Sequence, residues 1–450
     1  MAQCHPAPQR LPCNWNMRHW NKSLRCLLTT AFVCSLNAQQ QPTLTLQQAR
    51  ALALKNHPQV LASQANYQRS DQLTREARSA FFPAVNGDIT GTQAEVNSRL
   101  GAGIINASRL FNHFGSGLTL SQLITDLGRT QNLVASSKLT AQASRQDYRA
   151  TRYDVILGVD QAYYEVLLSQ QLVTVAQQTV NQRRTVVEQI SELTRNKLKS
   201  QVDLSFTQVN LADAKLMLLR AQDRLSAAYA QLADALGTDQ DTQYQLTDEP
   251  MPPNPPADVA PLIGEAAQNR PELASLRLQM ESAQKFVFAE RDLKRPNVNL
   301  SAVGGVLPYI NPGNANPAIP ETYEGVSINV QVPIFNGFLF GAREKAAQYQ
   351  LIQTQQRARD LQDRIARDVR NAYARAKTSL EAISATQQLL TQANLALNLA
   401  QGRYDLGLAS IVELTEAQLG QTSAQVQNLN AKYEYQEAYA ALQYTLGLLH

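Results

Sequence analysis

The 450-residue sequence predicts a mainly α protein with a small β part, internally duplicated, whose long coiled-coil helices continue a short set of membrane-crossing strands. Three observations predict it. First, the chain aligns with itself. Asn56-His57-Pro58 matches Asn269-Arg270-Pro271, and Phe82-Pro83-Ala84-Val85 matches Arg295-Pro296-Asn297-Val298, both at an offset of 213. Val159, Ala162 and Tyr163 match Val369, Ala372 and Tyr373, and Leu232, Leu236 and Gly237 match Leu442, Leu446 and Gly447, at an offset of 210. A period of that length makes each copy a domain-sized unit, not a solenoid repeat. Second, Arg129 to Arg195 and Ala342 to Tyr404 contain no proline and almost no glycine. Each reads as one helix of roughly 100 Å at about 1.5 Å per residue. Third, Val326, Ile328, Val330 and Val332 alternate strictly with Ser327, Asn329 and Gln331, the period-two pattern of a strand with one wet face.

Residues 1–38 differ in composition from everything that follows. They hold all four cysteines, Cys4, Cys13, Cys26 and Cys34, and carry Arg10, Arg18, Lys22 and Arg25 without an acid. The apolar run Cys26 to Leu36 and the small residue Ala38 follow. This is the pattern of a secretory signal. Initiation at Met17 instead of Met1 would give it a more ordinary length, and Phe32-Val33 before Cys34 argues against lipid attachment. Without those residues the chain has 37 basic and 37 acidic side chains and no cysteine. That balance leaves no nucleic-acid footprint, and disulfides cannot hold the fold.

The first repeat, 39–240, opens with a helix expected from Leu46 through Pro58 to about Ala80, ended by Pro83. Strands are expected at Ala84 to Thr92 and Leu118 to Leu123, and in the second repeat, 262–450, at Val298 to Val303 and Val326 to Ile334. The intervening Gln93 to Gly117 and Gly304 to Gly325 are rich in Gly, Asn and Pro and read as long loops. Aromatics gather at the strand ends: Phe81, Phe82, Phe111, Phe114, Tyr309, Tyr323, Phe335, Phe338 and Phe340. They read as an interfacial girdle.

In the second long helix, Leu361, Ile365, Val369, Ala372, Ala376, Leu380 and Ile383 keep an 11-residue repeat. Leu390, Ala393, Leu397, Ala400 and Tyr404 then keep heptad steps. Straight staves near the strands and a coiled coil farther out follow from those periods. Val155 to Ile190 repeats most of the pattern, with Gln170 and Arg183 as polar exceptions. Returning helices are expected at Val202 to Leu236 and Ile411 to Leu446. The Pro-rich segment 241–261 reads as an extended linker between the repeats.

Four strands cannot close a barrel, and no run of about 18 apolar residues follows residue 38, so passage through lipid must use strands. Open sheet edges are forbidden in lipid, so several copies must associate. Three would supply twelve strands, an even number in the usual range, with the helices forming a tube below. At the far end of that tube, past a turn at Gly407, Glu413 and Glu416 project from one helical face. Chains meeting there on a symmetry axis would turn the pair into a ring of negative charge. His57, His113 and His450 form no ligand spacing, and there is no GxSxG, P-loop or HExxH motif. Metal, cofactor and enzymatic function are therefore not expected.

The element order, the strand borders Phe82-Pro83-Ala84-Val85 and Pro333-Ile334-Phe335-Asn336-Gly337, and above all Arg403-Tyr404-Asp405-Leu406-Gly407-Leu408 followed by Ile411-Val412-Glu413-Leu414 resemble the TolC family of outer-membrane efflux proteins. The resemblance covers about residues 43 to 447. It implies a homotrimeric channel-tunnel, with a twelve-stranded barrel in the outer membrane and a helical barrel in the periplasm. Such a tunnel would export small molecules or proteins by drug efflux or type I secretion, with a periplasmic adaptor and an inner-membrane transporter.

The resemblance also implies site residues. Glu413 and Glu416 take the place of an acidic ring at the periplasmic entrance, and Tyr404 and Asp203 that of a link holding it shut. Lys197, Leu198, Leu406, Gly407 and Leu408 form the tips an adaptor would touch. The sequence departs from the pattern at Ala409, where a basic residue is expected, leaving Lys197 or Lys199 as substitutes. At the duplicate positions Asp203 aligns with Glu413 and Phe206 with Glu416, so one copy alone carries the acidic pair. The competing reading, a periplasmic coiled-coil adaptor or scaffold of an export system, shares the helical hairpins but has no use for the alternating strands. A β-barrel enzyme would need a catalytic cluster that the sequence lacks.

Overall fold

The computed structural model describes residues 43–93, 113–238, 244–310 and 322–449. The signal segment 1–38, Phe111, most of both loops, the first linker residues and His450 lie outside the described residues. The elements run β1 (Thr43–Leu44), α1 (Leu46–Asn56), α2 (Pro58–Ser79), β2 (Ala84–Thr92), β3 (His113–Thr125), α3 (Arg129–Arg195) and α4 (Gln201–Leu236). They continue β4 (Gln245–Leu246), α5 (Ala260–Asn269), α6 (Pro271–Asp292), β5 (Asn297–Ile310), β6 (Thr322–Gln331), α7 (Leu339–Asp405) and α8 (Ile411–Leu446). Apart from the two-residue strands, the order helix, helix, strand, strand, long helix, half-length helix occurs twice. The long helices α3 and α7 have 67 residues each.

The helix expected from Leu46 to Ala80 is instead two helices that break at His57, whose backbone is extended at φ −65°, ψ 126°. The following Pro58 disfavours helical geometry at His57 and itself sits well in a first turn. The same break recurs at Arg270 before Pro271, with φ −68°, ψ 119°. Into each break packs the end of a returning helix, at Gly237 (φ +63°) and Gly447 (φ +72°). A β-carbon there would stand 2.6 Å from the His57 Cα, or 2.9 Å from the Asn269 carbonyl carbon. Glycine is therefore required twice by left-handed backbone and by close approach.

The linker is not wholly extended chain. Its β4 pairs in parallel with β1, Thr43 opposite Gln245 and Leu44 opposite Leu246, and α5 begins inside it at Ala260. Buried Tyr163 fixes this patch: its hydroxyl lies 2.9 Å from Leu44 O and 2.7 Å from Thr247 O, and accepts from Thr247 N at 3.1 Å. Its duplicate, Tyr373, donates to Ala257 O at 3.0 Å. Around each tyrosine lies a core, one built on α1, α3 and α4 and the other on α5, α7 and α8.

Near the strands, α2 and α6 lie along the long helices with serine and threonine between them. Ser70 meets Ser144 at 3.1 Å, Thr74 meets Ser137 at 3.3 Å, and Ser282 meets Ser136 and Thr140 at 2.9 Å each. Ion pairs Arg343–Glu290 and Lys294–Glu344, both at 2.6 Å, tie α7 to α6 and to the turn after it. On α7 every apolar position of the predicted repeat from Leu361 to Tyr404 is buried or half-buried.

The four longer strands form one antiparallel sheet in the order β2-β3-β5-β6. They reach farther into the expected loops than the sequence indicated, β3 beginning at His113 and β5 ending at Ile310. By contrast β6 stops at Gln331, two residues before Pro333, which cannot donate to a ladder. The register separates the faces. Val326 lies opposite Ala302, Ile328 opposite Leu300 and Leu118 opposite Gly304 on one side. Ser327 opposite Ser301, Asn329 opposite Asn299 and Thr119 opposite Val303 lie on the other. The first face is apolar and open, with Val326 and Ile89 each 77% exposed. Among the described residues, β2 and β6 each have a neighbour on one side only.

Candidate functional site at the helical tips

At the end away from the sheet, α3 turns into α4 and α7 into α8 through two copies of one turn. In the first, Leu198 N donates to Leu193 O (2.8 Å) and Lys197 N to Thr194 O (3.0 Å). In the second, Leu408 N donates to Arg403 O (2.7 Å) and Gly407 N to Tyr404 O (3.0 Å). Both are Schellman endings, which need left-handed backbone at the residue after the cap. Gly407 supplies it at φ +75°, and Lys197 adopts it at φ +61°. A non-glycine residue holds that geometry at a cost of about 1–2 kcal/mol. Leu198, Leu406 and Leu408 stand 69%, 76% and 67% exposed, so these turns present bare leucines at the end of the molecule.

The two hairpins pack side by side. Ile190 of α3, Ala400 of α7, and Ile411 and Leu414 of α8 are buried together, with Leu193, Leu204, Leu397 and Tyr404 against them. Farther up the same seam, Arg183 of α3 is buried and donates to Gln418 Oε1 of α8. Burial pushes the Arg183 pKa down from its ordinary value. Arg183, one of the two polar exceptions in the apolar pattern, thus makes a bond between the two repeats.

The expected Tyr404–Asp203 hydrogen bond is not made. Asp203 instead completes a capping box: its backbone N–H donates to Ser200 Oγ (3.1 Å), and its Oδ2 accepts from Ser200 N (3.3 Å). In such a box the carboxylate three residues after a serine cap accepts from the cap residue's own backbone N–H. Among the described residues the buried Tyr404 hydroxyl has no hydrogen-bond partner. Burial, then the nearby charges of Asp203 and Asp405, raise its pKa. Lys199 does reach the residue: its Nζ lies 4.8 Å from the centre of the Tyr404 ring, within the range of a cation–π contact. Of the two lysines offered as substitutes for a base at Ala409, Lys199 is the one over Tyr404.

Glu413 and Glu416 both lie exposed on the first turns of α8. The Glu413 backbone N–H donates to Ser410 Oγ at 3.2 Å, and its Oε1 is 3.2 Å from Arg403 Nε. Arg403 also donates through Nη2 to Leu408 O at 3.3 Å. In the sequence Arg403 stands out only as part of the turn motif, with no role of its own. Its position, ten residues before Glu413 across a tight turn, was the available signal.

The sequence matches the family described as Outer membrane efflux protein over residues 49–238 and 262–448, one match per repeat. It is 23% identical over 415 residues to the outer membrane protein TolC of Salmonella enteritidis, covering 90% of this chain and 82% of that protein. It is 24% identical to the alkaline protease secretion protein AprF of Pseudomonas aeruginosa, covering 88% of this chain and 83% of that one. Among solved structures, the CmeC outer membrane channel of Campylobacter jejuni superimposes with a TM-score of 0.75 at 19% identity, over 89% of this chain and 85% of that one. Both repeats are matched, and the chain belongs to the outer membrane efflux protein family: it is a channel-tunnel of the outer membrane, with its helices in the periplasm, and not an enzyme.

Proposed function

We propose that three copies of this chain assemble into a closed duct that passes cargo across the outer membrane, fed by a periplasmic adaptor and an inner-membrane transporter. The observation that carries the reading is the four-stranded sheet with two unpaired edges and one open apolar face. In lipid such edges must pair, and β6 of one copy with β2 of the next is the antiparallel closure available. The polar face, with Asn86, Asp88, Thr119 and Ser327, would then line the lumen.

At the other end the leucine-bearing turns Lys197-Leu198 and Leu406-Gly407-Leu408 would receive the adaptor. Glu413 and Glu416 would ring the entrance, where rings of carboxylates favour cations. Lys199 against Tyr404 would help hold the tips together. Cargo is left to the pump, since a duct touches many substrates weakly.

The test is functional reconstitution. Purified protein added to a planar lipid bilayer is expected to give discrete, uniform conductance steps, and outer-membrane fractions to hold it as a heat-resistant oligomer in unboiled samples. A soluble periplasmic monomer without conductance would overturn the duct and favour the adaptor-like alternative.

A further inference from the structure

We propose that Arg403 sets the charge of the entrance by pairing with Glu413, so that of the two glutamates Glu416 carries the uncompensated charge; the inference rests on the trimeric duct with its entrance at the tips. Arg403 sits two residues before the end of α7, and its side chain runs forward along the turn to Leu408. The guanidinium is held twice, through Nη2 on Leu408 O at 3.3 Å and through Nε at 3.2 Å from Glu413 Oε1. Both side chains of the pair are about half exposed, at 57% and 46%. An exposed pair of this kind adds little to stability. Its effect is on the field.

A carboxylate with a guanidinium against it acts at a distance as a dipole, and its influence falls off faster than that of a lone charge. In a pore wetted by salt, with a screening length of about 8 Å, Glu413 thus contributes little to what an entering ion meets. Glu416 differs. Among the described residues its side chain makes no hydrogen bond or ion pair, and it projects one turn farther along α8. Of the other cations near the tip, Lys199 lies on the Tyr404 ring and Arg195 pairs with Glu192 at 2.6 Å, while Lys197 stands exposed in the α3–α4 turn, on the other hairpin from Glu413 and Glu416. Counting Arg403, Glu413 and Glu416 alone, each chain brings two carboxylates and one guanidinium to the constriction, three net negative charges in a trimer where the two glutamates would give six.

Two consequences separate this from an acidic ring of six equal carboxylates. Removing Arg403 should double the net charge and strengthen the preference for cations. Removing Arg403 and Glu413 together should delete a neutral pair and change little. The measurement is the reversal potential of single channels in a potassium chloride gradient, for the wild type and for Arg403→Gln, Glu416→Gln, Glu413→Gln and the double variant Arg403→Gln/Glu413→Gln. Unboiled electrophoresis would check that each remains an oligomer.

The expected result is a shift toward the potassium equilibrium potential for Arg403→Gln, a shift away from it for Glu416→Gln and for Glu413→Gln, and a wild-type value for the double variant. An unchanged potential in Arg403→Gln, or a double variant that behaves like Glu413→Gln, overturns the role of Arg403 while leaving the acidic entrance standing. If Glu416→Gln also has no effect, the entrance is not at these glutamates and the underlying reading fails with it.

Discussion

Val326→Lys should abolish the heat-resistant oligomer. Val326 lies at the middle of β6, opposite Ala302, and is 77% exposed on the apolar face of the sheet. If that face meets lipid, a lysine near the bilayer midplane costs about 2–4 kcal/mol per chain. In the proposed trimer the cost would be repeated three times, reaching on the order of 6–12 kcal/mol, comparable with the whole stability of an ordinary domain. Ser327→Lys is the control: one residue along, opposite Ser301, it lies on the polar face and should leave the oligomer intact. Equal behaviour of the two variants on unboiled gels of outer-membrane fractions would reverse the assignment of the faces.

The second large effect lies in the periplasmic part. Asp160 of α3 is fully buried, and both its oxygens accept from Arg50 of α1, from Nε and Nη2 at 2.7 Å each. Burial raises the Asp160 pKa, and the hydrogen bond and charge of Arg50 oppose that rise. Arg50→Met leaves a buried carboxylate without its cation, a change that costs about 3–5 kcal/mol.

The sign of the pH dependence follows. Without Arg50 the folded-state pKa of Asp160 rises further above its unfolded value, so the proton favours the folded chain. The destabilisation relative to wild type should then be smallest in acid and grow as the pH rises through the raised pKa. Urea denaturation of the two proteins across pH measures it. Arg50→Met/Asp160→Leu should recover much of the loss, because replacing both members of a buried pair by apolar groups is often neutral. A pH-independent difference would mean that Arg50 acts through packing alone.

Much of this fold was legible because its signals are long. The 67-residue helices, the apolar repeat on α7 and the duplicated glycines at Gly237 and Gly447 all span enough sequence for a periodic pattern or self-match to stand out. What was misread is local. The break at His57 follows from one proline, and the extra strand length at either loop follows from ladder partners far along the chain. The pairing of β1 with β4 joins two residues on each side and leaves no periodic trace.

The tip shows the same division. The turn and the glutamates were visible as Gly407 and a three-residue spacing. Which carboxylate pairs with what is decided by competition at short range. Asp203 has the nearer partner in the Ser200 amide, so Tyr404 is left with Lys199. Arg403 reaches Glu413 only because the turn folds α8 back beside α7. Such choices depend on side-chain reach after folding, which spacing alone does not encode.

The central claim is that copies of a four-stranded sheet close on one another in threes. The most direct measurement is the mass of the detergent-solubilised particle by native mass spectrometry. A single species of three chains is predicted, surviving in Ser327→Lys and lost in Val326→Lys. A stable monomer or dimer in the wild type would leave too few strands for the duct and would contradict it.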